Sequence, residues 1–359
     1  MSVRLAGIGT ALPPHALTQM DAARLHAAIC GVEGARARTL RTLYERSGIE
    51  RRHSVLLRSS GGALAARQEF FPRAEGPQDR GPGTRARMER YELDAPVLAL
   101  RAARAALGDA GLAPGQVTHL VSASCTGFFA PGVEHELIGT LGLDGGVRRT
   151  HVGFMGCHGA FNALAVARTV VDAEPDAVVL VCAVELCSLH FAYGWDRETV
   201  VPNALFADGA GAVVCARRGG WTLAAQGSCR IPDSGEDMTW RIGDHGFRMT
   251  LSSRVPELIE REVGPWMEEW LDREGLRISD VATWAVHPGG PRILEAFESA
   301  AGLVPRDTRV SRQVLRACGN MSSATIVFIL ERLLRQGAPR PLVAVGFGPG
   351  LVAEAMLWR

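Results

Sequence analysis

The hydrophobic positions of the chain fall into two stretches that repeat one order of predicted elements. An apolar run begins at Val117, and Cys157 follows 40 residues later (157 − 117), just before a stretch with helical spacing. A second run begins at Val281, and Asn320 follows 39 residues later (320 − 281), again before a helical stretch. A further apolar strand comes after each. The matching register predicts two pseudo-symmetric strand–helix–strand halves, with Cys157 and Asn320 at equivalent turns.

The rest of the pattern predicts an α/β fold. Further strands are predicted at residues 3–8, 177–182, 208–215, 221–226 and 341–346, and helices at residues 18–28, 35–47, 88–111 and 255–274. Residues 58–87 are rich in Gly, Pro and Arg without periodicity, which predicts a surface loop. Strands with few polar residues favour largely parallel sheets covered on both faces, in a five-layer sandwich of two fused halves. We place these halves at residues 1–217 and 218–359, on either side of an Arg/Gly-rich junction.

Composition excludes several classes of function. The formal net charge of the 359 residues is +1, so no global field would attract nucleic acid. All 39 basic residues are arginine, which excludes a Schiff-base lysine and the lysine of a Walker A loop. The eight cysteines contain no CxxC pair, so no zinc ribbon is predicted. Without a secretory signal or an apolar run of about 18 residues, we expect a cytoplasmic protein with no membrane span.

Cys157 stands where a strand-like run meets a helix-like run. Gly156 and Gly159 flank it, and such small residues permit a tight turn that exposes the side chain between them. The positive end of a helix dipole would stabilise a thiolate at this position, and a nearby imidazolium would add to that effect. The alternative is a buried structural cysteine, which is how we interpret most of the other seven. The turn and the repeat favour a nucleophile at Cys157.

His287 and Asn320 each allow a structural and a catalytic interpretation. His287 comes before Pro-Gly-Gly at the end of a predicted strand, where it could cap a turn or face a cavity. Asn320 comes before a helix, where asparagine is a common N-cap. Neither residue is decisive alone. Because each of them, like Cys157, lies at a topologically matched strand end of the repeat, the three together favour a shared nucleophilic site between the halves.

Several motifs resemble those of one enzyme family. Cys157, His287 and Asn320 are similar to the Cys–His–Asn triad of the thiolase-fold condensing enzymes. Residues 346–350 read Gly-Phe-Gly-Pro-Gly, as in the chalcone synthase-like, or type III, polyketide synthases, and the similarity extends along nearly the whole chain. The resemblance implies a thiolase-like αβαβα fold. It also implies decarboxylative condensation of malonyl-CoA onto an acyl-CoA starter.

The resemblance gives each member of the triad a role. The Cys157 thiolate, paired with protonated His287, takes the acyl group from CoA as a thioester. His287 and Asn320 then hold the malonyl thioester carbonyl and stabilise the enolate left by decarboxylation, which is worth about 3–4 kcal/mol per hydrogen-bond donor. The carbon chemistry comes from the two CoA substrates. The family therefore implies neither a metal nor a redox cofactor.

The resemblance also implies a substrate pocket. Phe206 matches the family phenylalanine that gates the pocket, although ordinary core packing is an alternative, and Met249 stands where a second phenylalanine is usual. Cys125 and His190 replace pocket threonines of plant members. These departures resemble bacterial enzymes that accept fatty acyl starters, so we expect alkylpyrone or alkylresorcinol products. The other implied pocket residues are Thr126, Glu185, Ser322, Gly348 and Pro349.

Family membership implies partners as well. Arg46, Arg41 and Gly289 are the expected CoA contacts, with a solvated helix face as the alternative for the two arginines. A homodimer is expected, with the loop around Ala130 close to the partner. A ketoacyl synthase III-like enzyme that condenses once is the nearest alternative. A cysteine-dependent acyltransferase or thioesterase that does not decarboxylate malonyl-CoA is another.

Overall fold

The structure is a computed structural model that describes residues 3–359, apart from the side chains of residues 197 and 198. Its helices are α1 (Gln19–Cys30), α2 (Gly34–Glu45), α3 (Thr84–Ala110), α4 (Val133–Leu141), α5 (Gly159–Ala173), α6 (Arg197–Leu205), α7 (Val255–Arg273), α8 (Pro291–Ala300), α9 (Arg309–Cys318) and α10 (Thr325–Arg335). Its strands are β1 (Arg4–Ala11), β2 (Ala16–Thr18), β3 (Arg51–His53), β4 (His119–Ser124), β5 (Arg148–Gly153), β6 (Val179–Leu186), β7 (Asp208–Ala216), β8 (Leu223–Arg230), β9 (Met238–Gly243), β10 (Gly246–Leu251), β11 (Thr283–Val286), β12 (Leu342–Gly348) and β13 (Val352–Trp358).

Two mixed sheets form the centre of the molecule. The first has the strand order β1-β7-β6-β4-β5 and the second has the order β11-β12-β13-β8. Only the pairings of β4 with β5, β4 with β6 and β11 with β12 are parallel in these two sheets of the described chain. The expectation of largely parallel sheets is therefore wrong. Strand β7 is antiparallel to both neighbours, yet all of its residues are buried, because its place inside the layers covers both of its faces.

Helices cover both faces of each sheet and complete five layers. One hydrophobic cluster joins α5 and α10 to the inner faces of both sheets. A second cluster packs α3 against the outer face of the first sheet, and a third packs α7 and α8 against the outer face of the second. Along β12, Leu342 and Ala344 belong to the inner cluster, whereas Val343 and Val345 belong to the outer one. The predicted five-layer αβαβα sandwich is confirmed, and its layers explain why such strands are apolar at every position.

The predicted elements are present with shifted ends. Helix α3 begins at Thr84, four residues before the predicted start at residue 88 (88 − 84), and β8 continues to Arg230. Most of the predicted surface loop is irregular. Within it, the side chain of Gln68 hydrogen-bonds to both the backbone N–H and the carbonyl of Phe71. The β9–β10 hairpin, which the sequence analysis did not predict, covers part of the candidate site. Strand β1 contacts both halves, since the Leu5 N–H donates to the Trp221 carbonyl (2.8 Å), and the boundary at residue 217 stays a prediction.

None of the helices within residues 3–359 combines the length and the apolar character that crossing a membrane would need.

Candidate active site

Cys157 lies in a sharp turn between β5 and α5. The turn is a single 3-10 turn, Gly156–His158, and α5 follows it directly. Gly156 has φ +70°, and a Cβ at that position would be 2.1 Å from Cδ of Pro349. Only glycine satisfies both the left-handed backbone and the contact with the loop after β12. The turn therefore places the thiol at the N-terminus of α5, as predicted.

The second half has a matching turn, but its register differs from the predicted one. Ser322 has φ +46° and begins a 3-10 turn that leads into α10, as Gly156 does before α5. These positions are 166 residues apart (322 − 156), as are the two helix starts (325 − 159). Cys157 therefore corresponds to Ser323, and its predicted counterpart Asn320 lies three residues earlier (323 − 320). The two halves have connections of different length, so one offset does not hold along the whole repeat.

Asn320 is held beside the thiol by its backbone and its side chain. Its N–H donates to the Leu205 carbonyl (2.9 Å), and its carbonyl accepts from the Ala207 N–H (2.8 Å). Its Oδ1 accepts from the Ser322 N–H (2.9 Å). The side chains of Asn320 and Ser322 both lie close enough to the sulfur of Cys157 to lower the pKa of the thiol. The structure thus brings a carboxamide of the second half to the thiol of the first.

His287 lies at the end of β11 and is 1% exposed. Its backbone N–H donates to the Val345 carbonyl (2.7 Å) and extends the parallel ladder by one residue. Two residues later, the Gly289 carbonyl accepts from Nδ2 of Asn320 (3.5 Å), so the turn after His287 contacts Asn320. Neither ring nitrogen of His287 has a hydrogen-bond partner among the described residues. A buried imidazole without a partner is rare in a folded chain. His287 is not among the residues that line the cavity beside Cys157.

The electrostatics of the site favour neutral groups instead of the expected thiolate and imidazolium. Burial raises the pKa of the Cys157 thiol to about 12, although hydrogen bonds from Ser322 and Asn320 oppose that change. Burial, with a smaller effect from the charge of His158, lowers the pKa of His287 to about 3. Either charge alone would be buried without a partner. A thiolate or an imidazolium at these positions would therefore need an opposite charge or a hydrogen-bond donor beside it.

Glu185 connects the two halves behind the thiol. This fully buried carboxylate accepts hydrogen bonds from the Cys125 N–H (3.0 Å), from Oγ1 of Thr126 (2.8 Å) and from Oγ of Ser323. Burial raises the pKa of Glu185 to about 7, against the effect of these bonds. Glu185 does not line the cavity, contrary to its predicted place in the pocket. Gly348 does not line it either, because it packs against the ring of His158, which a Cβ would approach to 2.3 Å.

The thiol opens onto a cavity of about 580 Å³, a size typical of small-molecule sites. The walls near Cys157 contain the other predicted pocket residues, namely Cys125, Thr126, His190, Phe206, Met249, Ser322 and Pro349. Away from the thiol the cavity continues into a part that we call the apolar arm. The residues that define the apolar arm are Leu17, Ala22, Leu25, Ile29, Leu56, Leu57 and Phe71. The sequence analysis did not predict the arm, because its residues come from α1 and from the loop regions around it.

The β9–β10 hairpin forms one wall of the cavity and contains two aromatic residues that the sequence analysis missed. Nε1 of Trp240 donates to the Cys125 carbonyl (2.7 Å). The ring of Phe247 stacks on His190 with 4.2 Å between centroids, and the Phe247 N–H donates to Nδ1 of His190 (2.9 Å). Nε2 of His190 bonds to the Thr126 carbonyl (2.7 Å). Burial lowers the pKa of His190 to about 3, so this ring is a neutral spacer. The alternation of apolar and polar residues on either side of Gly243 and Gly246 was the sequence signal for this hairpin.

The predicted CoA contacts lie outside the cavity wall. Arg41 and Arg46 are exposed at α2 and just after it, and Gly289 is near the site only through its bond with Asn320. Their assignment to CoA stays a prediction.

The comparisons with known proteins agree with this geometry. The N-terminal domain of the chalcone and stilbene synthases matches residues 2–218, and the C-terminal domain of these enzymes matches residues 222–359. The chain therefore belongs to the chalcone and stilbene synthase family, the type III polyketide synthases. It is a condensing enzyme of the acyltransferase type, and the predicted family is confirmed.

Relatives cover nearly the whole chain. The alpha-pyrone synthesis polyketide synthase-like Pks18 of Mycobacterium tuberculosis is 33% identical over 99% of this chain and 90% of that protein. The 1,3,6,8-tetrahydroxynaphthalene synthase of Streptomyces peucetius subsp. caesius is 32% identical over 99% of this chain and 92% of that protein. Among solved structures, PKS-I from the brown alga Ectocarpus siliculosus has a TM-score of 0.91 at 29% identity, covering 100% of this chain and 98% of that chain. A type III pentaketide synthase from Neurospora crassa has a TM-score of 0.87 at 28% identity, covering 100% of both chains. The thiolase-like fold is confirmed.

Replacing Glu185 tests the buried carboxylate through the pH dependence of stability. Its folded pKa of about 7 lies above the ordinary glutamate value of 4.5, so the folded state retains a proton that the unfolded state releases between these pH values. This group therefore makes the wild type less stable as the pH rises from 4.5 to 7, and the loss is complete above that range. Glu185→Gln keeps the shape and removes the titration. The unfolding free energy of the variant relative to wild type should rise by on the order of 3 kcal/mol across this range, at about 1.4 kcal/mol per pKa unit.

Chemical denaturation of both proteins at matched pH values measures this difference. If the unfolding free energies of the two proteins change in parallel from pH 4.5 to 8, the raised pKa does not belong to Glu185.

Proposed function

We propose that this type III polyketide synthase loads a fatty acyl starter from CoA onto Cys157 and extends it with malonyl-CoA to alkylpyrone or alkylresorcinol products. The observation that carries the proposal is a single cavity that begins at the thiol and continues into the apolar arm. A reactive end and an apolar end in one enclosure suit a thioester with a long alkyl chain. The name of the Mycobacterium relative, which refers to alpha-pyrone synthesis, is consistent with this product class.

In the loading step, Cys157 attacks the carbonyl of the acyl-CoA thioester. The thiol proton passes to His287 as the carbon–sulfur bond forms, and His287 then gives the proton to the departing CoA thiolate. The products are the acyl-enzyme and free CoA. Because the buried site favours neither charge alone, the proton transfer and the attack are coupled. The N-terminus of α5 stabilises the negative charge that passes through the sulfur.

In the extension step, the thioester carbonyl of malonyl-CoA lies against Asn320 and His287. Carbon dioxide leaves as the carbon–carbon bond to the carboxylate breaks, and the electron pair is delocalised onto the thioester oxygen. Two hydrogen-bond donors to that oxygen stabilise the enolate, at about 3–4 kcal/mol each. The enolate carbon then attacks the Cys157 thioester, which forms the extended acyl-CoA and releases the Cys157 thiolate. The thiolate takes up a proton, or it attacks the new thioester, which returns the extended chain to Cys157 and releases CoA. All carbon comes from the CoA substrates, so we propose no metal or redox cofactor.

The apolar arm supports a fatty starter in preference to an aromatic one. The residues that define it are aliphatic except for Phe71, and each buried methylene of a ligand gains about 0.8 kcal/mol from leaving water. Phe71 lines the arm, is 5% exposed, and packs against the rings of Phe70, Phe191 and Tyr193. A rigid aromatic cluster of this kind limits the length of chain that the arm can hold.

We also propose a homodimer and a CoA site at its predicted arginines. Phe128 is 51% exposed and contacts Phe154 and Phe247, and Met155 is 44% exposed beside them. An apolar patch next to the loop around Ala130 fits an interface between two copies.

The exposed guanidinium groups of Arg41 and Arg46 suit the CoA phosphates. With no membrane-spanning helix among residues 3–359, we propose a cytoplasmic location.

Separate assays of the two steps test the roles of the triad. Cys157→Ala should abolish acyl transfer from a fatty acyl-CoA, measured as the mass increase of the intact protein. Asn320→Ala should load the starter normally, because it leaves the thiol in place. Its release of carbon dioxide from malonyl-CoA should fall about 100- to 1,000-fold with the loss of an oxyanion donor. Unchanged release by Asn320→Ala would remove Asn320 from this role, and a product extended only once would favour a ketoacyl synthase III-like enzyme.

Truncation of Phe71 tests the starter class. Phe71→Ala should lengthen the arm and shift the preferred starter to longer chains in a panel of saturated acyl-CoA thioesters, read from product masses. Phe70→Ala is the matched control, since Phe70 contacts Phe71 without lining the cavity, and it should keep the wild-type preference. If the wild type rejects every aliphatic starter, the fatty acyl proposal is wrong. If both variants keep the wild-type preference, Phe71 does not limit the arm.

A further inference from the structure

Arg52 is an interior arginine that the proposed mechanism leaves without a role. It lies on β3, and the part of its side chain that stays accessible lines the cavity. Its Nε donates to Oε1 of Gln19 (2.9 Å), and its guanidinium lies over the ring of Tyr44, with Cζ 5.5 Å from the centroid. Removing an arginine from bulk water is costly unless its donors are used, so these contacts indicate a specific task.

The remaining bonds of Arg52 hold the C-terminal end of α6. Its Nη1 donates to the Asn203 carbonyl and to the Phe206 carbonyl, at 2.7 Å each. Gln19 donates to the Ala204 carbonyl between them (2.7 Å). The last carbonyls of a helix have no partner within it and bear partial negative charge. Arg52 and Gln19, which come from the β2–β3 ribbon and the start of α1, therefore cap α6 with side chains.

The capped end of α6 continues directly into the candidate site. Phe206 follows α6 and forms a parallel bridge with Asn320. On the other side of this bridge, Gly319 packs so closely on Arg52 that a Cβ there would be 3.0 Å from Cγ of the arginine. Arg52 thus contacts both backbone segments that position Phe206 and Asn320.

We propose that Arg52 is a positioning residue for the decarboxylation of malonyl-CoA. It fixes the backbone of Phe206 and, through the bridge, the carboxamide of Asn320 relative to the malonyl thioester. The inference rests on the role proposed above for Asn320. Within residues 3–359, Arg52 makes no hydrogen bond to the Cys157 turn, which Gly156 and Pro349 hold independently, so the loading step does not depend on it.

Kinetics of Arg52→Met and Arg52→Lys in the full-length protein test this inference. For Arg52→Met, the kcat for carbon dioxide release from malonyl-CoA should fall about 10- to 100-fold, as expected when a catalytic group is misplaced by about 1 Å. The KM for malonyl-CoA and the rate of Cys157 acylation should stay near wild type. The kcat of Arg52→Lys for this step should lie between those of the wild type and Arg52→Met, because one ammonium cannot bond to both carbonyls and Gln19 in a plane. If Arg52→Met does not fold, Arg52→Lys alone provides the test.

Arg51→Met is the matched control, since the neighbouring Arg51 is exposed, and it should behave as wild type. Wild-type decarboxylation by Arg52→Met would overturn the inference, and so would an equal loss of acylation and decarboxylation. Asn320→Ala in the same assays separates the two proposals. If Asn320→Ala is impaired and Arg52→Met is not, only the role of Arg52 fails. If neither variant is impaired, the role of Asn320 is wrong, and so is the inference about Arg52 that rests on it.

Discussion

The candidate site depends on a close contact between one turn of each half. Gly156 adopts a left-handed backbone directly against Pro349, and a methyl group in place of its hydrogen would overlap the proline ring. This contact presses the start of α5 against the loop after β12. The thiol of Cys157 is the next side chain along, so its position follows from the contact between Gly156 and the Pro349 ring. Asn320 reaches the same thiol from the second half.

Burial gives the site its chemical character. Burial raises the pKa of the Cys157 thiol and lowers the pKa of His287, so the resting groups are neutral. A charge can appear there only when a second charge forms beside it or when a hydrogen-bond donor is already in place. An enzyme that makes an enolate from malonyl-CoA gains from such a site, since its donors act at full strength in the absence of water. The same burial keeps Glu185 and His190 as structural supports.

The sequence predicted those features that depend on local pattern. Two repeated strand–helix–strand units, the glycine turn at Cys157 and the buried strands were all readable from periodicity and small residues. The pairing of Cys157 with Asn320 was displaced by three residues, because the connections in the two halves differ in length. The expectation of largely parallel sheets was wrong, for example at β7, since burial on both faces leaves the same apolar pattern in either strand direction.

Features made by distant segments were not predictable from the chain alone. The apolar arm joins α1 to Phe71, and Arg52 caps a helix about 150 residues away (203 − 52). Trp240 reaches the site from a hairpin whose aromatic residues could equally have been ordinary surface packing. Such contacts depend on how layers are stacked, and periodicity within one element does not record that.

The pH dependence of Cys157 alkylation tests most directly whether the two halves share one proton. Iodoacetamide inactivation of the wild type would be compared with that of His287→Ala, with peptide masses used to separate Cys157 from Cys125 and Cys187. If His287 accepts the thiol proton, the wild type should react several-fold faster than the variant at neutral pH, and the variant should approach it only as alkaline pH ionises the buried thiol. Identical pH profiles for the two proteins would show that thiol and imidazole do not act together, and would contradict the account.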